Sequence, residues 1–155
     1  MISFSTEGKD SVLETEIVLE RDLEEVFSFF ADAFNLEKIT PPILNFKVIT
    51  PPPIQIGVGT HIDYDLKLHG IPIMWRSHIP IWEPPYRFVD EQVMGPYLKW
   101  YHQHNFSNEN GRTIIRDKVN YRVPGGKIAH QLLVKKNLEL IFGFRSDEIT
   151  RIFSS

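Results

Sequence analysis

Apolar and polar residues alternate along much of the chain, which is typical of β-strands with one buried face. The first such run covers residues 11–20. Six further runs are predicted over residues 43–49, 62–68, 71–81, 87–93, 100–106 and 113–121. Clusters of Gly, Pro and Asn separate most of these runs, and short connections favour antiparallel neighbours. The pattern therefore predicts one antiparallel sheet of about seven strands.

Two short helices are predicted directly after the first strand. Asp22, with Glu25 three residues later, is typical of a helix N-cap with a capping box, and an apolar helical stripe follows. Residues 35–38 predict a second helical turn. It ends at Thr40-Pro41-Pro42, because a residue that precedes proline avoids helical dihedral angles.

Residues 127–153 predict one long C-terminal helix, in which Gly143 is the weakest position. The residues predicted on its buried side are Ile128, Leu132, Leu138, Ile141, Phe142, Ile149 and Ile152. Arg145 lies near this apolar stripe, and we expect its long side chain to reach out to solvent. A long helix that packs across a sheet can leave a cavity beneath it, so the element order predicts an α+β fold with a pocket.

A hairpin with a turn at His69-Gly70 is predicted in the middle of the chain. Such a turn pairs Tyr64 with Trp75 on one face of the sheet. Arg76 and His78 fall on the opposite face and are predicted to face solvent. Tyr64 and Trp75 are therefore candidate wall residues of the pocket.

The strand over residues 100–106 carries an unusual set of inward-facing side chains. Trp100, His102, His104 and Phe106 fall on one face, because successive side chains of a strand alternate. Two imidazoles between large aromatic rings are uncommon in a plain apolar core. This face is the candidate functional surface.

The following strand places a carboxylate beside these imidazoles. If residues 107–112 form the turn, His102 lies opposite Asp117 and His104 lies opposite Ile115. A buried carboxylate needs a partner, and a His–Asp pair can anchor a ligand, move protons or be a purely structural contact. The sequence leaves these three interpretations open.

A metal site is the less favoured interpretation of the His102-x-His104 pair. With Gly95 and Glu109, the pair comes close to the first metal motif of cupin barrels. Glu109 falls in a predicted turn, however, and the chain ends in a helix rather than in further strands. Asp117 or Glu91 could serve as a third metal ligand, but neither stands at a fixed sequence spacing from the two histidines. The prediction is therefore no metal and no cofactor.

Composition narrows the class of protein. The chain has 155 residues, 42% hydrophobic residues, a net charge of −3 and a pI near 6.1. This length and hydrophobic content predict one domain over residues 1–155 with a hydrophobic core. The negative net charge argues against a nucleic-acid partner. Cysteine is absent, which excludes disulfides and thiolate chemistry. With no signal-peptide pattern and no apolar run long enough to span a bilayer, we expect a cytoplasmic protein without an integral membrane segment.

The chain resembles the SRPBCC superfamily, which includes START-like, polyketide cyclase/dehydrase and lipid-transport proteins. The segments that carry the resemblance cover nearly the whole chain: Phe27-Ser-Phe-Phe, residues 35–42, residues 82–92, Gly95-Pro-Tyr with residues 100–106, residues 117–126 and residues 141–145. They are most similar to one bacterial-type branch. The resemblance implies the helix-grip fold of the birch pollen allergen, a sheet wrapped around a long C-terminal helix.

The resemblance also implies a cavity for a small hydrophobic molecule of the lipid, polyketide or isoprenoid type. The positions carried over from the family pattern are Trp100, His102, His104, Phe106, Asp117 and Tyr121. Relatives include carriers, cyclases and receptors, so the resemblance implies no single reaction. Non-catalytic binding is the favoured function. An aromatase/cyclase-like enzyme that uses His102, His104 and Asp117 is the alternative, and a protein-interaction module is a weaker one. The oligomeric state is not predicted.

Overall fold

A computed structural model describes residues 1–154, apart from the side chain of Leu132. Its strands are β1 (Ile2–Glu7), β2 (Asp10–Leu19), β3 (Lys47–Val48), β4 (His61–Leu68), β5 (Ile71–Glu83), β6 (Arg87–Met94), β7 (Lys99–Glu109) and β8 (Arg112–Arg122). They form one antiparallel sheet in the order β1-β2-β8-β7-β6-β5-β4-β3. Ser155, and the burial predicted for Leu132, lie outside the described part of the chain.

Two of the predicted strands differ in the structure. The sheet gains β1, which the pattern did not predict because only Ile2 and Phe4 are apolar in it. The strand predicted over residues 43–49 shrinks to β3, because Pro42–Leu44 forms a 3₁₀ turn that ends at Asn45 in a left-handed conformation. Both corrections concern the two edges of the sheet.

The helices follow the predicted order. The first is α1 (Leu23–Phe30), followed by a 3₁₀ turn at Ala33–Glu37. Asp22 precedes α1 as predicted, but its side chain makes no cap hydrogen bond, and Glu25 instead accepts one from Arg21 at 3.0 Å. The capping box is therefore wrong, although the start of the helix is right.

The C-terminal helix covers residues 126–152 in three parts. These are α2 (Gly126–Ala129), a π-helical turn (His130–Val134) and α3 (Lys135–Ile152). The irregular turn therefore falls near the start of the helix, and Gly143 stays inside regular α3. In the described part of the chain, no helix is long and apolar enough to cross a membrane.

The hairpin of β4 and β5 has the predicted register. Tyr64 pairs with Trp75, and both turn residues, His69 and Gly70, have positive φ angles of 52° and 79°. Left-handed conformations at both positions match the right-handed twist of the flanking strands. The turn therefore places both aromatic side chains on the inner face.

The register of β7 and β8 is two residues away from the predicted one. His104 pairs with Asp117, and His102 pairs with Val119. The cause is the turn, which is only Asn110-Gly111, with φ angles of 56° and 80°. Because side chains alternate with a period of two, a two-residue shift leaves every side chain on its predicted face.

Helix α3 packs against the inner face of the sheet. Leu138 and Phe142 belong to one core cluster with Leu13, Val119 and Tyr121, while Ile149 joins a separate cluster around α1. A third cluster surrounds Tyr64 and Ala33, at the far side of the sheet. The space between these three clusters is where the candidate site lies.

Asp10 connects the first turn of the chain to β7 and β8, and its role predicts acid sensitivity. Its carboxylate accepts hydrogen bonds from Lys99 and Arg122, both at 2.7 Å, and from Asn120 at 3.1 Å. The bond from Lys99 is the largest cause that holds the pKa of Asp10 at about 2, against the opposing effect of burial. A lowered carboxyl pKa stabilises the folded protein above the unfolded pKa of about 3.9, and this stabilisation disappears as the pH falls towards the folded pKa.

We therefore expect Asp10→Asn to lower the free energy of unfolding by about 1–2 kcal/mol at neutral pH, since Lys99 and Arg122 are partly exposed. The difference in the free energy of unfolding between the variant and the wild type decreases below about pH 4 and disappears near about pH 2. Urea unfolding at a series of pH values measures this gap. A gap that stays constant down to pH 2 contradicts the assigned role.

Candidate ligand-binding site

A cavity of about 190 Å³ lies between α3, the 3₁₀ turns and the inner face of β4–β7. Most of its wall is apolar, including Leu36, Ile62, Leu66, Leu138 and Phe142. The polar side chains of the wall are Thr40, Ser77, Asp90, His102, His104 and Arg145. An apolar wall with a small polar group is the usual composition of a site for small organic molecules.

The structure brings five of the eight predicted site residues to this cavity. Tyr64, Trp75, Trp100, His102 and His104 line it. The other three, Phe106, Asp117 and Tyr121, face inward and are buried, but they lie in the core beside the cavity and not in its wall. Binding of a ligand by any of the eight stays a prediction.

The connection between β6 and β7 holds an aromatic side chain against the cavity. Gln92 donates to the backbone oxygen of Tyr97 at 2.7 Å and accepts from its backbone nitrogen at 3.0 Å. Gly95 permits this contact, because a Cβ atom there would lie 2.5 Å from the Gln92 side chain. Tyr97 is thereby packed against Trp75 and Trp100 at the wall.

His102 and His104 stack face to face at the centre of the sheet. Their ring centroids are 3.6 Å apart, and the ring of Phe88 stacks on the other side of His104 at 4.0 Å. Both imidazoles are almost fully buried, with 3% and 2% of their surface exposed. Their position follows from the His-x-His spacing on β7, which puts both rings on the inner face.

Two carboxylates flank the imidazole pair. On the cavity side, His104 Nε2 donates to Asp90 Oδ2 at 2.5 Å, and His102 Nδ1 lies 3.7 Å from the same oxygen. On the opposite side, Asp117 Oδ1 lies 3.2 Å from His102 Nε2 and 3.5 Å from His104 Nδ1. Thr15 donates to the other oxygen of Asp117 at 3.1 Å. These residues form a continuous polar row across β6, β7, β8 and β2.

Burial and charge set the protonation of this row. Burial, together with the neighbouring His102, lowers the pKa of His104 to about 4, against the opposing effect of Asp90. Burial alone would raise the pKa of the Asp90 carboxyl, but its interactions with His102, His104 and Arg145, which include the hydrogen bond from His104, outweigh this effect and lower the pKa overall. The pKa of Asp117 is lowered in the same way, with Arg145 as the largest opposing cause. Both carboxylates are therefore ionised at neutral pH.

Arg145 points into the cavity and not towards solvent, so the predicted orientation is wrong. Its guanidinium lies over the rings of Phe30 and Phe142, with distances of 5.5 and 5.8 Å to the ring centroids. Its Nε and Nη2 atoms are buried and have no hydrogen-bond partner in the described residues. Solvation alone would favour an outward position of the guanidinium at the helix surface. The two ionised carboxylates of the polar row attract its charge inward instead.

Asp90 and Arg145 are the two charged wall residues that sequence reasoning missed. Asp90 belongs to a segment that carries the family resemblance, but both Phe88 and Val89 are buried, so β6 lacks a clear alternation. Arg145 stands three residues after Phe142 and four before Ile149, which are both buried. That spacing places it at the centre of the apolar stripe, and this was the available signal.

Several solved structures are similar to this one. They include protein Ms6760 from Mycobacterium smegmatis (TM-score 0.71, 14% identity, covering 99% of this chain and 96% of that chain). They also include a START superfamily protein from Mycobacterium smegmatis (TM-score 0.66, 10% identity, covering 91% and 98%). A third is Ara h 8.0201 (TM-score 0.62, 16% identity, covering 89% and 96%).

At the level of sequence, no protein-family model and no curated protein matches this chain. The likeness to solved structures, at identities of 10–16%, therefore shows the fold alone. The eight-stranded antiparallel sheet and the long C-terminal helix agree with it over nearly the full chain. The chain has the START-like, helix-grip fold.

Proposed function

We propose that the protein binds a small hydrophobic molecule in the cavity under α3. The observation that carries this proposal is the cavity itself, which has an apolar wall and one polar group. Apolar surface that stays uncovered inside a fold is costly, and a ligand that fills it gains dispersion contacts as well as burial. The fold supports the proposal, because other proteins with it are commonly hydrophobic-ligand binders.

The volume of the cavity limits the size of the buried part of a ligand. An apolar cavity of about 150 Å³ is large enough for benzene, so 190 Å³ suits a ring system or a short branched chain. The cavity is partly open to solvent, so a longer ligand would extend outwards. Arg145 offers hydrogen-bond donors and Asp90 offers an acceptor, so a hydroxyl or carbonyl group would find a partner at the polar end.

A substitution that fills the cavity tests this proposal. Ala33 is buried at the wall, so Ala33→Leu places extra atoms in the space a ligand needs. With 2-naphthol as the probe, we expect Ala33→Leu to weaken binding at least about 10-fold, which corresponds to about 1.4 kcal/mol. Isothermal titration calorimetry measures the dissociation constant for both proteins.

The matched control is Ser28→Leu, which adds the same side chain on the exposed face of α1. We expect this variant to bind 2-naphthol like the wild type. Equal affinity in all three proteins would place the probe outside the cavity. An absence of binding to the wild type, at concentrations up to the solubility of the probe, would contradict the proposed function for ligands of this class.

An aromatase/cyclase-like activity remains the second candidate. The observation in its favour is that the hydrogen-bonded pair of Asp90 and His104 borders the cavity, where it could contact a bound substrate. Turnover of a poly-β-keto substrate by the wild type, and its loss in His104→Ala, would distinguish an enzyme from a carrier. A protein-interaction function stays a prediction, since exposed apolar side chains alone do not identify a partner.

A further inference from the structure

We propose that Asp90, His102 and His104 bind a divalent transition-metal ion at the wall of the cavity. The sequence pattern disfavoured a metal because no third ligand stood at a fixed spacing from the two histidines. The fold supplies this ligand from the neighbouring strand, where Asp90 pairs with His102. The proposal concerns the protein's own side chains and does not depend on the binding of an organic ligand.

The donor atoms already lie close to one another. Each of the three residues offers one ligand atom, and these atoms all lie within 4.8 Å of one another. Zinc–nitrogen and zinc–oxygen bonds are about 2.0–2.2 Å long, so modest movements of the side chains would bring all three atoms onto one ion. Because the three residues sit on adjacent paired strands, the backbone holds the donors together before a metal arrives.

The opposite nitrogen of each imidazole also has a suitable neighbour. A histidine that ligates a metal almost always directs its other ring nitrogen to a carboxylate, a carbonyl or water, which fixes the ring. Asp117 Oδ1 lies 3.2 Å from His102 Nε2 and 3.5 Å from His104 Nδ1. These three buried atoms have no hydrogen bond of good geometry in the described residues, so the ion pairs are present but not optimal. Rotation of the rings onto a metal would let Asp117 accept from both.

The charge of the site favours a cation. Asp90 and Asp117 lie on either side of the two imidazoles, at 2.5–3.7 Å from their ring nitrogens, and Arg145 is the cationic side chain in the wall of the cavity. Buried charge is costly unless it is compensated, and two carboxylates with one guanidinium leave a deficit of positive charge. A divalent ion between Asp90 and the imidazoles would supply it.

The chemistry of the donors indicates the class of metal. Two imidazole nitrogens and one carboxylate oxygen suit Zn²⁺, Fe²⁺, Co²⁺ or Mn²⁺ and offer no soft sulfur ligand. Three protein ligands leave coordination positions open. Since Asp90, His102 and His104 line the cavity, those positions would face it and accept water or an oxygen atom of a bound molecule.

The test is metal binding by tag-free protein that has been treated with a chelator and then freed of it. Titration with Zn²⁺ in a calorimeter should give one equivalent per chain, and Co²⁺ should give visible absorption bands on the same stoichiometry. Asp90→Asn is nearly isosteric, and we expect it to weaken Zn²⁺ binding at least about 100-fold. We expect His104→Gln to weaken Zn²⁺ binding to a similar extent. With two variants, the proposal can still be tested if one of them does not fold.

A surface site is the competing explanation, and the chain offers a matched control for it. His61 and His78 lie side by side at 5.0 Å on the outer face, and His78 Nδ1 lies 2.8 Å from Glu91 Oε2. The double variant with His61→Gln and His78→Gln should retain the one-equivalent site. The proposal is overturned if this double variant loses it, if Asp90→Asn and His104→Gln bind Zn²⁺ like the wild type, or if the wild type binds no metal. Binding of 2-naphthol is measured with chelator present, so the two proposals fail independently.

Discussion

Asp117→Ala is expected to lower the free energy of unfolding by about 3–5 kcal/mol, which is the usual cost of removing one partner from a buried ionic group. The carboxylate is 3% exposed and lies beside both imidazoles. Its removal leaves the hydroxyl of Thr15 without its acceptor and deprives Arg145 of one of the two charges that compensate it. Urea unfolding, followed by tryptophan fluorescence, measures the loss.

Thr15→Val is the control for this prediction. It removes only the hydrogen bond of 3.1 Å to Asp117 and should cost about 1 kcal/mol. A large difference between the two variants shows that the charge, and not the single hydrogen bond, stabilises the row. If Asp117→Ala costs no more than Thr15→Val, the carboxylate is dispensable and the polar row is not an electrostatic unit.

Phe27→Ala is expected to cost about 3–5 kcal/mol, the range for removal of a buried aromatic side chain from a packed core. The ring of Phe27 lies at the centre of an aromatic cluster that joins α1 to the sheet. Its centroid is 5.2 Å from that of Trp82, 5.9 Å from that of Phe88 and 5.1 Å from that of Phe106. The loss combines the removal of apolar burial with the cavity that remains.

The comparison for Phe27→Ala is Tyr86→Ala, which removes an aromatic side chain that is 62% exposed. We expect that variant to lie within about 0.5 kcal/mol of the wild type. Thermal unfolding by circular dichroism orders the two variants directly. A small effect at Phe27 would mean that α1 is only loosely attached and that the wall of the cavity near Phe88 is correspondingly flexible.

Much of the fold follows from the sequence, because alternation and turn chemistry act locally. His69-Gly70 determined the register of β4 and β5 correctly. At the other predicted hairpin, the turn was predicted over residues 107–112, although Asn110-Gly111 is the stronger turn signal. The predicted register of β7 and β8 is therefore two residues away from the observed one. The α+β class, the antiparallel sheet and the C-terminal helix are nevertheless as predicted. The two-residue shift leaves each side chain on its predicted face of the sheet, so the predicted inner face is also correct.

The site was harder to predict, because it depends on contacts between distant segments. The pattern identified His102 and His104 as inward-facing, since both belong to one alternating strand. It could not show that Asp90 stands beside them, because neighbouring β6 residues are buried on both faces. It also gave the wrong direction for Arg145, whose inward orientation is favoured by the charges of Asp90 and Asp117. A pattern confined to α3 does not contain those charges.

The most direct test of the central claim is a crystal structure of the tag-free protein grown with 2-naphthol. We expect electron density for the probe under α3, with its rings against Trp75, Trp100 and Phe142 and its hydroxyl towards Asp90 or Arg145. Density for the probe only at the protein surface, or side chains that fill the space between α3 and the sheet, would contradict it.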